Sequence, residues 1–177
     1  MSYKTILRSV RFNEDLDRLL KADAKKRGIS VNALIAEIFT KYAEWDRFAQ
    51  RFPMVSISRQ GFKNLIDLLS ADELKEHAEE AGSRNAPEIA LFWFKTLNLD
   101  SFLRLVHIIS KYGNSFEYEH SSDQAMHTIA IHHEIGQAYS DFLAHYFDAA
   151  IRKIIGVAPK LDKGKNLLTI RFSEPMP

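Results

Sequence analysis

The sequence predicts an α+β protein in three parts: a strand–helix–helix head over residues 1–52, a helical connector over 53–84, and an α+β body over 85–177. Three observations predict it. A short alternating stretch, Ile6 to Phe12, runs directly into two amphipathic helical patterns separated by Gly28-Ile29. From Ser58 to about Ala81 apolar residues recur at helical spacing, with little Gly, Pro or Ser of the kind a flexible linker carries. Beyond Pro87 the rhythm switches between alternation and helical spacing several times, as in a domain that layers strands on helices.

Composition bounds the classes. At 177 residues, 46% hydrophobic and 27% charged, the chain is globular in character. No apolar run approaches the roughly 20 residues needed to span a bilayer, and no apolar signal-peptide stretch follows MSYK. The absence of cysteine removes disulfides, thiolate nucleophiles and Cys-based zinc sites together. The expectation is a soluble, cytoplasmic protein without a membrane partner. The net charge of +1 hides an asymmetry: residues 1–52 hold 11 Lys/Arg against 7 Asp/Glu, while residues 53–177 hold 13 against 16. A basic head on a mildly acidic body suits a polyanion as the partner of the head.

In the head, Ile6, Val10 and Phe12 alternate with Leu7, Ser9 and Arg11, the period of a strand with one buried face. Asn13 is placed as N-cap of the first helix, with Glu14 and Asp15 in its positive first turn. Leu16, Leu19, Leu20 and Ala24 form the apolar stripe, Lys25, Lys26 and Arg27 suit the C-terminal end, and Gly28 ends the helix. Ser30 caps a second helix with Val31, Leu34, Ile35, Ile38, Tyr42, Trp45, Phe48 and Phe52 on its stripe, up to Pro53. One strand and two helices cannot bury this much apolar surface, and a lone strand leaves both edges unpaired. The economical solution is two chains with their strands paired antiparallel and their helices interlocked.

The segment SVRFNEDLDRLLKADAKKRGISVNALIAEIF resembles the ribbon-helix-helix regulators (the Arc, MetJ and CopG group) in its alternating strand, polar cap followed by acids, Gly-x-Ser turn, and Leu-Ile one turn into helix two. The resemblance covers about a quarter of the chain. It implies a homodimer, or a dimer of dimers, on double-stranded DNA, with the outward side chains Leu7, Ser9 and Arg11 of the ribbon reading base edges in the major groove and Val10 and Phe12 facing the dimer core. Arg11 is the strongest reader, since Arg paired to guanine is the commonest specific contact. The Ser30 turn, with the backbone N–H groups of Val31 and Asn32, implies a clamp on a DNA phosphate. Two positions depart from the family: Leu7 stands where a polar reader is usual, and Arg8 where an apolar residue is usual. Arg8 is accordingly assigned to a phosphate, and a bulge there can re-aim this end.

The body reads as follows. Ile89–Phe94 (IALFWF), between Pro87 and Asn98, is taken as a buried strand, or as helix if the run IALFWFKTL is continuous. A helix opens at Asp100 or Ser101 and ends at Gly113. Ser115–His120 and His127–His133 alternate as two strands joined at Ser121–Gln124; a long helix follows, with Ile135, Tyr139, Phe142, Tyr146, Ala150 and Ile154 on its stripe; Leu167–Phe172 closes as a strand after the Lys163-Gly-Lys-Asn turn. The order β-α-β-β-α-β is the split βαβ, or ferredoxin-like, arrangement. In the connector, Gly82-Ser-Arg-Asn is read as a helix break.

Seven histidines raise metal chemistry. His120 and His127 flank the hairpin turn and can face each other across it, which makes them the only metal candidates. His127 and His133 share a face but lie about 20 Å apart at strand rise, too far for one ion. His133-Glu-Ile-Gly-Gln begins like a zinc-protease HExxH but has Gln137 in place of the second His, so that motif fails. There is no Gly-rich phosphate loop and no nucleophile elbow; no cofactor and no enzymatic activity are expected. His132, His133, Glu134, Gly136 and Ser140 gather at a strand-to-helix corner, where Gly136 allows close backbone approach and the helix start favours an anion, so a small-molecule effector can sit there. The plain alternative is a His-stabilised helix start. The function expected is a dimeric, sequence-specific DNA-binding transcriptional regulator whose body oligomerises and senses an effector. The rivals are an antitoxin-like interaction module, and a metal-responsive sensor built like the nickel-responsive regulators, whose cysteine ligand and His spacing this chain lacks.

Overall fold

A computed structural model describes residues 6–49 and 55–174. The chain is mixed α+β and divides into two compact units, one ending at Arg47 and one beginning at Phe48.

The first unit is two helices, α1 (Glu14–Arg27) and α2 (Val31–Lys41). Asn13 Oδ1 accepts the Leu16 N–H at 2.9 Å, and Glu14, Asp15 and Asp17 lie in the first turn of α1, where the helix dipole favours them. Gly28 ends α1 in the left-handed region at φ 68°; its N–H reaches the Lys25 carbonyl at 3.2 Å and the Ile29 N–H the Ala24 carbonyl at 3.0 Å. That closure turns the chain into α2, whose N-cap Ser30 accepts the Ala33 N–H on its Oγ at 3.1 Å. A π turn (Tyr42–Asp46) and α3 (Arg47–Ala49) continue the helix. The predicted strand is absent here: residues 6–13 carry no regular secondary structure. The reason is that a strand exists only by hydrogen bonding to a neighbour, and no described segment pairs with this one.

The second unit holds α4 (Arg59–Ile66), α5 (Ala71–Glu80), α6 (Ala86–Phe94), α7 (Leu99–Gly113), the hairpin β1 (Glu117–Asp123) and β2 (Met126–His132), α8 (Gln137–Ile154), β3 (Lys160–Lys163) and β4 (Leu167–Ser173). The sheet is antiparallel throughout, in the order β1-β2-β4-β3, with Ile129 opposite Ile170 and Ile131 opposite Leu168. Ile129 and Ile131 of β2 and Leu168, Ile170 and Phe172 of β4 form one buried core with Phe102, Leu105 and Val106 of α7 and Leu143, Phe147 and Ile151 of α8. Phe62 and Ile66 of α4, from the stretch read as a connector, belong to this same core.

Three expectations change here. Ile89–Phe94 lies in a helix, so the first strand of a ferredoxin-like fold does not exist. Its buried positions Ala86 and Ala90 are four apart, a helical spacing that the apolar run masked because Leu91 to Phe94 sit at the partly exposed end. Gly82 does not break the connector: α5 passes through a π turn (Ala81–Asn85) into α6. Ala78, Gly82, Ala86 and Ala90 follow at every fourth position and are all buried. A Cβ on Gly82 would stand 2.2 Å from the Tyr146 carbonyl oxygen, so glycine is there to let this helix lie against α8. Finally, Lys160–Lys163 supplies a strand the pattern did not show, because β3 is four residues long with only Leu161 turned toward the core.

Candidate functional site

In the head, Leu7, Arg8, Ser9 and Arg11 are all exposed, with Leu7 at 90%. Ser30 Oγ is used on Ala33, so the first-turn N–H groups of Val31 and Asn32 are left without an intrahelical acceptor, as at every helix start. Among the described residues of the head only Leu20, Ala24 and Leu34 are buried; Ile6, Val10, Phe12, Leu16, Leu19, Ile38, Phe39 and Tyr42 are exposed. They include Ile38 of α2 and Tyr42 at the start of the π turn that continues it, four positions apart.

The strand-to-helix corner of the body splits the predicted ligand residues into two groups. His133 and Ser140 are buried and satisfied by each other. The single hydroxyl proton of Ser140 goes to the Lys165 carbonyl at 3.1 Å, so His133 donates its Nε2–H to Ser140 Oγ at 2.9 Å and accepts the Ile135 N–H on Nδ1 at 3.4 Å. The His133 N–H in turn reaches the Asn166 carbonyl at 3.0 Å. His133 therefore ties the end of β2, the start of α8 and the β3–β4 turn together as a neutral ring, and burial, with the nearby charge of His132, holds its pKa below the usual histidine value. Gly136, at φ 112°, is the N-cap of α8 and supplies no side-chain cap.

His132 and Glu134 are exposed instead, lining a cleft of about 250 Å³ with Glu117, Ser110 and Arg59, to which His133 also contributes part of the wall. Arg59 Nη1 donates to Glu134 Oε2 at 2.6 Å, and its Nη2 reaches the Asn114 carbonyl at 3.4 Å. Sharing Arg59, Asn114 and Ser115 with this cleft is a larger one of about 530 Å³, also bounded by Ile57, Ser58, Phe62 and Ile135. Next to it Tyr139 is packed edge-on to Phe62, and burial pushes its hydroxyl up to about 12, partly offset by a hydrogen bond to Ser115. Arg59 was not foreseen as a site residue. The local pattern gave only a residue after a capping Ser58, and the partners that make it interesting lie 55 and 75 positions away.

The histidine pair comes together across the hairpin, diagonally: the turn lies at Gln124-Ala125 and not at Ser121–Gln124, so His120 stands opposite Ile129 and Ser122 opposite His127. His120 Nε2 and His127 Nδ1 are 2.9 Å apart, with ring planes within 3°. His127, buried against Phe172, also bonds Glu174 Oε1 at 2.8 Å through Nε2. Since the carboxylate can only accept, His127 carries its proton on Nε2, and its bare Nδ1 accepts from His120. The two facing nitrogens thus spend their lone pair and proton on each other, and burial first, then the electrostatic cost of a second proton beside the neighbouring imidazole, lowers the pKa of His120. Among the described residues no group of three or more His, Asp or Glu is arranged to hold a metal ion. Glu174 escaped the sequence reading because it lies 47 positions from His127.

Comparison of the chain with protein-family models, with curated proteins and with solved structures returned no match. Among the described residues no helix is long and apolar enough to cross a membrane.

Proposed function

We propose that this chain is a sequence-specific DNA-binding regulator that acts as a homodimer, its residues 6–12 pairing with those of a second copy as a two-stranded ribbon in the major groove. The observation that carries this reading is the unfinished head: two well-capped helices with Leu19, Ile38 and Phe39 exposed, preceded by a stretch whose Ile6, Val10 and Phe12 are also exposed in the single chain. A second copy covers such a surface and supplies the missing strand neighbour in one step. The charge excess of the head, the exposed Ser9 and Arg11, and the Gly28–Ser30 turn support DNA as the ligand. Ser9 and Arg11, with Leu7 beside a thymine methyl, read bases; Arg8 and the Ser30, Val31 and Asn32 turn hold phosphates. The body adds contacts between copies and senses an effector.

Selection from a random pool of duplex DNA at two salt concentrations tests the reading. It expects a consensus of inverted half-sites and a steep fall of affinity with salt. Arg11→Ala should weaken binding to the selected site by about 1–3 kcal/mol. No enrichment of any sequence would reduce the head to a dimerisation device. Stoichiometric co-purification of a second protein seated on the head would favour the interaction-module reading instead.

A further inference from the structure

We propose that the cleft beside Arg59 is a binding site for a small organic carboxylate with an apolar body. The binding claim stands on the body alone; only its use as the regulator's signal rests on the DNA-binding reading.

The larger cleft, about 530 Å³, has the size of small-molecule sites. Its wall is apolar at Ile57, Phe62 and Ile135 and polar at Ser58 and Ser115, and among the described residues lining it Arg59 carries the one charge. Ser58 Oγ accepts the Gly61 N–H at 3.1 Å, which leaves its hydroxyl proton available to a further acceptor. The acidic groups, Glu117 and Glu134, line not this cleft but the adjoining one, which shares Arg59, Asn114 and Ser115 with it. A ligand in the larger cleft thus meets one cation, hydroxyl groups and an aromatic-aliphatic wall, which selects an anion with an apolar portion and disfavours an amine.

Arg59 is already paired, and the character of that pair decides the mechanism. Glu134 is 80% exposed at its side chain and Arg59 50%, so the bond between them is a solvent-side ion pair of the weakly held kind. A ligand carboxylate can take the Nη1 and Nη2 sides of the guanidinium at once, displacing Glu134 from the first and the long 3.4 Å contact to the Asn114 carbonyl from the second, with its apolar body removed from water against Phe62 and Ile57. Glu134 is then a stand-in that the ligand displaces: its carboxylate occupies Arg59 from the open side until a better acceptor arrives from the cleft. The same exchange gives the site an output. Arg59 is the first residue of α4, directly after its N-cap Ser58, so a ligand that draws Arg59 away from Glu134 acts on the start of that helix.

Isothermal titration of the full chain, without DNA, tests this with four probes: hexanoate, 3-phenylpropionate, hexylamine and 1-hexanol. The two carboxylates should bind saturably, and the amine and the alcohol about tenfold more weakly or worse. Arg59→Gln should weaken hexanoate by about tenfold or more with an unchanged melting temperature. Glu134→Gln should tighten it by about two- to fivefold, since the competitor for Arg59 is gone. The proposal fails if neither carboxylate gives a saturable signal, if hexylamine binds as well as hexanoate, if a folded Arg59→Gln chain binds like the wild type, or if Glu134→Gln weakens binding. Because no DNA is present, none of these failures bears on the head.

Discussion

In the body, the apolar faces of sheet and helices close on one another until Phe102, Phe147, Ile129, Ile151 and Ile170 are nearly inaccessible. Among the described residues of the head only Leu20, Ala24 and Leu34 are buried, while apolar residues from Ile6 to Tyr42 remain in solvent. Both units have good local signals: Asn13, Gly28 and Ser30 cap the head's helices as firmly as Ser70 and Asn98 cap α5 and α7. The difference lies in what those helices pack on. The body has a four-stranded sheet, and the head has nothing of that size within one chain. Units near 40 residues usually need disulfides, metals or a second copy, and this chain has no cysteine. Capping fixes where helices start and stop, but it does not supply a core.

The comparison can be broken most heavily from the body's side. Phe147→Ala removes a ring packed against Phe102, Phe116 and Tyr146 and should cost about 3–5 kcal/mol in urea unfolding. A loss below about 1 kcal/mol would mean this core is not what holds the body together.

The next effect sharpens the head's side. Ile38 is exposed in the single chain, so Ile38→Asp should cost a lone head less than about 0.5 kcal/mol. In a dimer that buries Ile38 it should weaken association by about 2–4 kcal/mol, the range of interface anchors. Sedimentation equilibrium distinguishes the two, and an Ile38→Asp chain that associates as tightly as the wild type would remove this face from the interface.

A smaller effect probes the corner that joins β2 to α8. His133→Leu leaves Ser140 and the Ile135 N–H short of a partner and should cost about 1–3 kcal/mol. The pH dependence carries a sign. The folded-state pKa of His133 is depressed below the ordinary value of 6.5, so the unfolded chain takes up the proton first. The contribution of the neutral ring is present above pH 6.5 and is lost as pH falls from there through the depressed folded value. His120, whose pKa is also lowered, adds a slope of the same sign. Urea midpoints measured across that range should fall with acid in the wild type and less steeply in His133→Leu. Equal slopes would assign the acid sensitivity elsewhere.

The sequence made local features plain and non-local ones obscure. The caps at Asn13 and Ser30, the αL glycine at 28, the β1–β2 hairpin and the long α8 were all legible, because each is set by residues within one or two turns of one another. Ile89–Phe94 misled because six consecutive apolar residues have no period, and the small residues that reveal the helix, Gly82 and Ala86, lie upstream of the run. Gly82 read as a break because its role is set by the Tyr146 carbonyl, 64 positions on. The site residues divide the same way. His120 and His127 do meet across the hairpin, but diagonally, since the turn lies at Gln124-Ala125 and sets His120 opposite Ile129; His132 ends β2 exposed, while His133, just past the strand, is buried. His133 and Ser140, grouped by proximity as ligand contacts, are instead consumed by each other. Arg59 and Glu174 were invisible because distant residues define their partners.

The central claim is that residues 6–12, without regular structure in one chain, become a paired strand on meeting a second copy. Hydrogen exchange of the backbone amides in this stretch tests it most directly. In a two-stranded antiparallel ribbon alternate amides bond to the partner, so every second amide should be protected in the wild type. That protection should vanish on dilution and in Ile38→Asp. Free exchange of all these amides in a protein that sedimentation shows to be dimeric would contradict the account.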